Sequence, residues 1–119
     1  DMLDLPLANI DKHRGTNGDI TIAGISDEVS GKTCLIFDDV INTGGTVVEV
    51  ARFLKTKGAV AVHFVVTHGL FADHGMEKVT DPAIDSIIIT DSIYHPDLPQ
   101  KLTSLSSASL FVPHIRKWM

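Results

Sequence analysis

In the stretch LIFDDVINTGGT, from Leu35 to Thr46, two adjacent carboxylates precede a glycine turn by three residues. Asp38 and Asp39 close an apolar run, and Thr43, Gly44, Gly45 and Thr46 follow. A turn of that composition leading into a helix leaves backbone N–H groups free, and the helix dipole adds roughly half a positive charge there. Glycines let the backbone approach an anion closely, and the threonine hydroxyls can donate as well. A phosphate suits such a turn. The carboxylates would repel that same phosphate, so they make sense against a ligand with two ends. A sugar phosphate fits, with its phosphate in the turn and its hydroxyls donating to Asp38 and Asp39. A divalent cation between carboxylate and ligand oxygens is a second use for the pair. No Gly-Lys-Ser/Thr follows, so this is not a Walker A loop, and no G-x-G-x-x-G fingerprint occurs. A plain strand–turn–helix corner with an Asp cap would account for a lone Asp-Asp or Gly-Gly, but not for the whole arrangement.

Other chemistry-bearing residues carry weaker signals. His63, His68 and His74 have neither zinc-finger nor H-E-x-x-H spacing, so no metal site is expected. His63 reads as structural, while His68, at a strand end, is placed to face a site. Asp73, Glu77, Asp81 and Asp85 read as solvated faces and caps, and Asp91 lies at another strand end. Phe111 and Trp118 read as packing residues or contacts to a partner chain.

The elements that must position the acidic–glycine stretch alternate in type. LDLPLANID (3–11) reads as a strand limited by Pro6. Residues after it, with glycines at 15, 18 and 24, begin as a mobile loop, and ITIAGI (20–25) is a short strand. TCLIFDD (33–39) is a continuous apolar run, as for a strand buried on both faces of a parallel sheet. From Thr46 the period becomes helical, with Val47, Val50, Ala51 and Leu54 on one face and Gly58 placed as a C-terminal cap. AVAVHFVVTHG (59–69) is a strand with Val60, Val62, Phe64 and Val66 alternating. DHGMEKVTDP is a short helix or turn, IDSIIITDS (84–92) another buried strand, YHPDLPQK a loop, and LTSLS a short strand. SASLFVPHIRKWM is a final helix in which Pro113 marks the first turn or a kink. This alternation predicts an α/β domain with a mainly parallel sheet flanked by helices.

The chain has 119 residues, enough for one domain (1–119) and one core. At 44% hydrophobic and 21% charged, with mean hydropathy +0.18, it has the composition of a globular protein rather than a disordered one. No apolar run approaches the roughly 20 residues of a membrane helix, and the N-terminal residues do not read as a signal peptide. A net charge of −5 without a basic block disfavours nucleic acid as a partner. The one cysteine, Cys34, permits no internal disulfide and reads as a small buried thiol; a cytoplasmic protein is the default.

LIFDDVINTGGT resembles the phosphoribosyl pyrophosphate motif of type I phosphoribosyltransferases and of ribose-phosphate pyrophosphokinases. Three further stretches are similar to the second family: NIDKHR (9–14) to its catalytic loop, VVTHGLF (65–71) to its Thr-His-Gly segment, and IDSIIITDSI (84–93) to the strand that follows. The resemblance covers nearly the whole chain and implies the C-terminal half of an enzyme with two related domains, the second phosphoribosyltransferase-like. It implies transfer of pyrophosphate from ATP, with Mg2+, to the C1 hydroxyl of ribose 5-phosphate, giving phosphoribosyl pyrophosphate and AMP. The Mg2+ ligands would lie mostly outside this chain. Lys12 and Arg14 would stabilise charge on the transferring group. Asn42, Thr43, Gly44, Gly45 and Thr46 would bind the 5-phosphate, and Asp38 and Asp39 the ribose hydroxyls.

The sequence departs from the family pattern at three places. Asn42 stands where Asp is common, His13 where Arg is, and Ala72 where Ser is. A homo-oligomer is implied. The glycines and charge of residues 12–19 predict a loop that stays poorly ordered without nucleotide. Missing neighbours would leave an apolar sheet surface that drives association. Two alternatives remain: a phosphoribosyltransferase acting on a nucleobase, and a non-catalytic homologue associated with the synthetase.

Overall fold

The computed structural model describes residues 3–17 and 20–119. Among the described residues, six strands and three helices follow in the order β1 (Ile10–Arg14), β2 (Ile20–Ile25), β3 (Thr33–Ile41), α1 (Gly45–Thr56), β4 (Ala61–Gly69), α2 (Gly75–Lys78), β5 (Ser86–Thr90), β6 (Leu102–Leu105) and α3 (Ala108–Ile115). A short 3-10 turn, Arg116–Trp118, ends the chain. β3, β4, β5 and β6 form a parallel sheet in that spatial order, and β1 pairs with β2 as a separate antiparallel ribbon. The expected α/β class with a mainly parallel sheet is what forms.

The core lies between one sheet face and α1. Val62, Phe64 and Val66 of β4 and Ile87 and Ile89 of β5 point to that face and are buried. They meet Val47, Val50, Ala51 and Leu54 of α1, together with Val79 and Ile84. Burying each such aliphatic side chain stabilises by about 1.5–3 kcal/mol. α1 ends where the sequence places its stop. Gly58 takes φ +88, its N–H reaches the Lys55 carbonyl, and the Ala59 N–H reaches that of Leu54. This is a Schellman closure, which needs a left-handed residue just beyond the helix. Asp85 then ties α1 to the sheet, accepting from the Lys55 ammonium at 2.8 Å and from the Val62 N–H at 2.7 Å.

Five sequence expectations are corrected. The first strand is not 3–11 but 10–14. Residues 3–9 lie in no strand, and Asp4 takes a left-handed φ of 49. The charged residues Lys12, His13 and Arg14, expected in a loop, pair instead with Ile22, Thr21 and Ile20, after a bulge at Asp11/Lys12. Pairing to the apolar β2 overrides their weak strand preference. Of the expected mobile loop, Gly18 and Asp19 lie outside the described residues. Val60 belongs to no strand and is exposed; its N–H bonds the Lys32 carbonyl before β4 begins.

The other two corrections concern coverage. β3 is buried on one face only: Leu35 is 46% and Phe37 60% exposed, because among the described residues no helix packs on their side. α3 buries none of its residues, Phe111 and, beyond the helix, Trp118 are exposed rather than packed in the core, and Pro113 lies within the helix rather than in its first turn. The uncovered surface shows in the totals. The chain exposes 8191 Å², against about 6300 Å² for a compact monomer of this mass. Its radius of gyration is 15.9 Å, against roughly 13.5 Å for a compact domain of this length.

Candidate functional site

The carboxyl ends of β3, β4 and β5 carry the candidate site. At the end of β3 the chain turns through Asn42 and Thr43, and Gly44 adopts φ 78, ψ −8 as the N-cap of α1. A Cβ on Gly44 would meet Val79 Cγ1 at 3.1 Å and the Gly75 carbonyl oxygen at 3.2 Å. Both the left-handed backbone and this close approach call for glycine. The Ala72 N–H donates to the Asn42 carbonyl at 2.9 Å, fixing the turn against the segment that enters α2. In that segment Phe71, Asp73 and His74 all have positive φ.

No side chain caps α1, and its first turn holds no acidic residue. Among the described residues no carboxylate therefore satisfies its first N–H groups, which suits an external anion. Thr43, Gly45 and Thr46 are partly exposed around this end, and Asn42 is exposed.

Asp38 and Asp39 line an open depression of about 520 Å³ with Phe37, Val65, Val66, Thr67 and Thr90. Asp38 Oδ1 accepts the Asp39 N–H at 3.0 Å. Among the described residues neither carboxylate has a cationic partner, so both retain accepting capacity for a ligand. The structure thus brings Asp38, Asp39, Asn42, Thr43, Gly44, Gly45 and Thr46 to one corner. Lys12 and Arg14 stand exposed on the β1–β2 ribbon and share no hydrogen bond, ion pair or depression with that corner.

Thr67 and Thr90 were not singled out from the sequence as lining residues. The signal for them was a hydroxyl at the carboxyl end of each apolar parallel run. His68 bonds Ser92 through Nδ1 at 2.7 Å, and His95 Nε2 lies 2.6 Å from the Gly69 carbonyl oxygen while its ring meets Phe71 edge-on at 5.3 Å. His63 bonds Ser86 Oγ at 2.7 Å, in keeping with a structural role. Asp91 accepts both the N–H and the hydroxyl of Ser107, at 2.8 and 2.7 Å. These bonds, with a further one from Ser106, lower its pKa to about 2. Partial burial raises the Cys34 thiol. Among the described residues no three His, Cys, Asp or Glu side chains gather as a metal site, and no helix is long and apolar enough to cross a membrane.

A parallel sheet with an uncapped helix N-terminus beside paired carboxylates has the layout on which α/β domains can hold a phosphate. Comparison with known proteins narrows this. Residues 9–116 match the family model described as phosphoribosyl synthetase-associated domain, and the chain belongs to that family. It is 38% identical over 114 residues to a ribose-phosphate pyrophosphokinase of Thermotoga maritima, covering 93% of this chain and 36% of the relative. It is 41% identical over 91 residues to one of Cereibacter sphaeroides, covering 76% and 27%. A crystal structure of phosphoribosylpyrophosphate synthetase from Mycobacterium smegmatis superposes with a TM-score of 0.80 at 32% identity, covering 98% of this chain and 38% of that one. The chain therefore spans about a third of the length of these relatives.

Proposed function

We propose that this chain carries the ribose 5-phosphate site of a ribose-phosphate pyrophosphokinase, forming one phosphoribosyltransferase-like domain in the C-terminal part of the enzyme. The observation that carries the reading is the acid-free, uncapped start of α1 behind left-handed Gly44, directly after Asp38 and Asp39. The 5-phosphate accepts hydrogen bonds from the backbone around Thr43–Thr46 and from the two threonine hydroxyls. The ribose hydroxyls donate to Asp38 and Asp39. In the reaction, the C1 oxygen of ribose 5-phosphate attacks the β-phosphorus of ATP. The bond from that phosphorus to the α,β-bridging oxygen breaks, AMP departs, and the C1 hydroxyl gives up its proton. Lys12 and Arg14 balance charge on the transferring group, where charge stabilisation and positioning carry most of the catalysis.

Two adjacent carboxylates without a third donor fit Mg2+ only as a partner shared with phosphate and water oxygens, the usual manner for that ion. Bound to the ATP phosphates, Mg2+ would supply charge neutralisation there. We further propose a cytoplasmic enzyme that works as a homo-oligomer.

The test is calorimetric titration of ribose 5-phosphate into the protein and into an Asp38→Ala/Asp39→Ala variant. Binding that the variant loses supports the reading; equal binding by both, or none by the parent, overturns it. Because the chain spans a third of its relatives, the 119 residues alone are expected to bind without turnover. Robust pyrophosphate transfer by the isolated chain would show that the ATP site lies within it.

A further inference from the structure

Thr67 lies one strand over from the carboxylates. Asp38 is in register with Val66 and Val40 with His68, so Asp39 of β3 stands beside Thr67 of β4. Val66 is in register with Ile89, so Thr67 stands beside Thr90 of β5. Asp39, Thr67 and Thr90 thus form a row on one face at the carboxyl ends of adjacent strands, which run about 4.8 Å apart. All three line the same depression.

The hydroxyls in this row are used differently. Thr90 Oγ1 donates to the Thr67 carbonyl at 2.7 Å and receives the Ser92 N–H at 3.2 Å. Ser92 Oγ also reaches the Thr67 carbonyl, at 3.2 Å, and is itself bonded by His68. The Thr67 backbone is therefore held by two side-chain hydroxyls, a local arrangement that pairing between parallel strands does not require. The Thr67 hydroxyl itself has no hydrogen-bond partner among the described residues. It is a free donor and acceptor on a fixed backbone at the rim of that depression.

Ionised carboxylates only accept hydrogen bonds. A sugar hydroxyl that donates its proton to Asp39 keeps two lone pairs, and the carboxylate pair offers nothing to them. We propose that Thr67 is a sugar-contacting residue. Its hydroxyl donates to the oxygen of the ribose hydroxyl whose own proton goes to Asp39, while Thr90 and Ser92 act as positioning residues for Thr67. The proposal rests on the ribose 5-phosphate reading above.

The experiment titrates ribose 5-phosphate and, separately, inorganic phosphate into the parent, Thr67→Val, Thr67→Ser and Asp38→Ala/Asp39→Ala proteins, with thermal melts as folding controls. Valine keeps the shape and removes the hydroxyl. The loss of one neutral hydrogen bond predicts ribose 5-phosphate binding weakened about 3- to 10-fold in Thr67→Val. Inorganic phosphate binding should be unchanged, and Thr67→Ser should restore the sugar phosphate. Should Thr67→Val fold poorly, Thr67→Ala replaces it with the same expectation. Parent-like affinity in the hydroxyl-less variant, beside clear loss in the Asp38/Asp39 variant, overturns the role of Thr67 and leaves the site intact. A weakening for inorganic phosphate equal to that for the sugar phosphate also overturns it. Failure of the parent to bind the sugar phosphate overturns the site and the role of Thr67 together.

Discussion

Gly44 and Gly75 hold two backbone segments closer than most side chains are packed. A Cβ on Gly44 would lie 3.2 Å from the Gly75 carbonyl oxygen, and one on Gly75 would lie 3.2 Å from both the carbonyl carbon and oxygen of Thr43. The turn before α1 and the start of α2 are thus packed backbone to backbone. A second element thus braces the proposed phosphate cradle.

Gly44→Ala is expected to destabilise the fold by about 1–3 kcal/mol, since it combines left-handed strain with a tight contact to Val79. Gly75→Ala should weaken phosphate binding without changing any group that faces the ligand, because it pushes Thr43 outward. Denaturant melts and phosphate titration of both variants check the two effects separately. Parent-like behaviour in both would mean the turn yields easily.

Lys12→Ala and Arg14→Ala should leave ribose 5-phosphate affinity within about twofold, because among the described residues neither side chain bonds the Asp38–Thr46 corner. In a protein of the relatives' full length, each should lower turnover, by about 100-fold if it acts as a charge stabiliser on the transferring group. Single-turnover kinetics beside equilibrium binding separates these effects. A matching loss in both would place the two residues at the sugar instead.

Much of this corner was legible in the sequence, because three local signals agree there. The apolar run of β3 stops at Asp38, the period changes to helical after Gly45, and Gly58 closes the helix. Residues 3–9 misled because Leu5 and Leu7 alternate with other residues like a strand, yet alternation alone does not form a ladder. Lys12–Arg14 misled in the opposite sense, since an unpromising strand forms when β2 lies alongside it. Burial of Leu35 and Phe37 was inferred from hydrophobicity alone, and only the three-dimensional arrangement reveals which helices reach which face.

Lys101 occupies a position that a bound cation could otherwise fill. Its ammonium donates to the carbonyls of Ile84 at 2.7 Å, Asp81 at 2.9 Å and Thr80 at 3.3 Å. Lys101→Met removes the donors and leaves those acceptors without them. A loss of about 1–3 kcal/mol in thermal or urea denaturation is expected. An unchanged midpoint would show that water replaces the ammonium freely.

Acid should release α3 before the sheet unfolds. The Ser107 bonds hold the Asp91 carboxyl at a pKa of about 2, below its ordinary value near 3.9. A lowered pKa means the tether is fully present above the ordinary value and is lost as pH falls through the lowered one. Trp118 is the only tryptophan and follows α3 directly, so its fluorescence anisotropy should drop between about pH 4 and pH 2. Asp91→Asn should show a reduced anisotropy already at pH 7. Constant anisotropy across this range would mean that α3 is held by something other than Asp91.

The uncovered side of the sheet sets a thermodynamic signature. The heat capacity of unfolding follows the apolar surface newly wetted when the chain opens, and for 119 residues it is ordinarily about 1.4–1.8 kcal/mol/K. Leu35, Phe37, Leu110, Phe111 and Trp118 already meet solvent in the folded chain. Unfolding the chain by itself therefore adds less apolar surface than its length suggests. Its heat capacity increment should fall below that range, and its stability should change unusually gently with temperature.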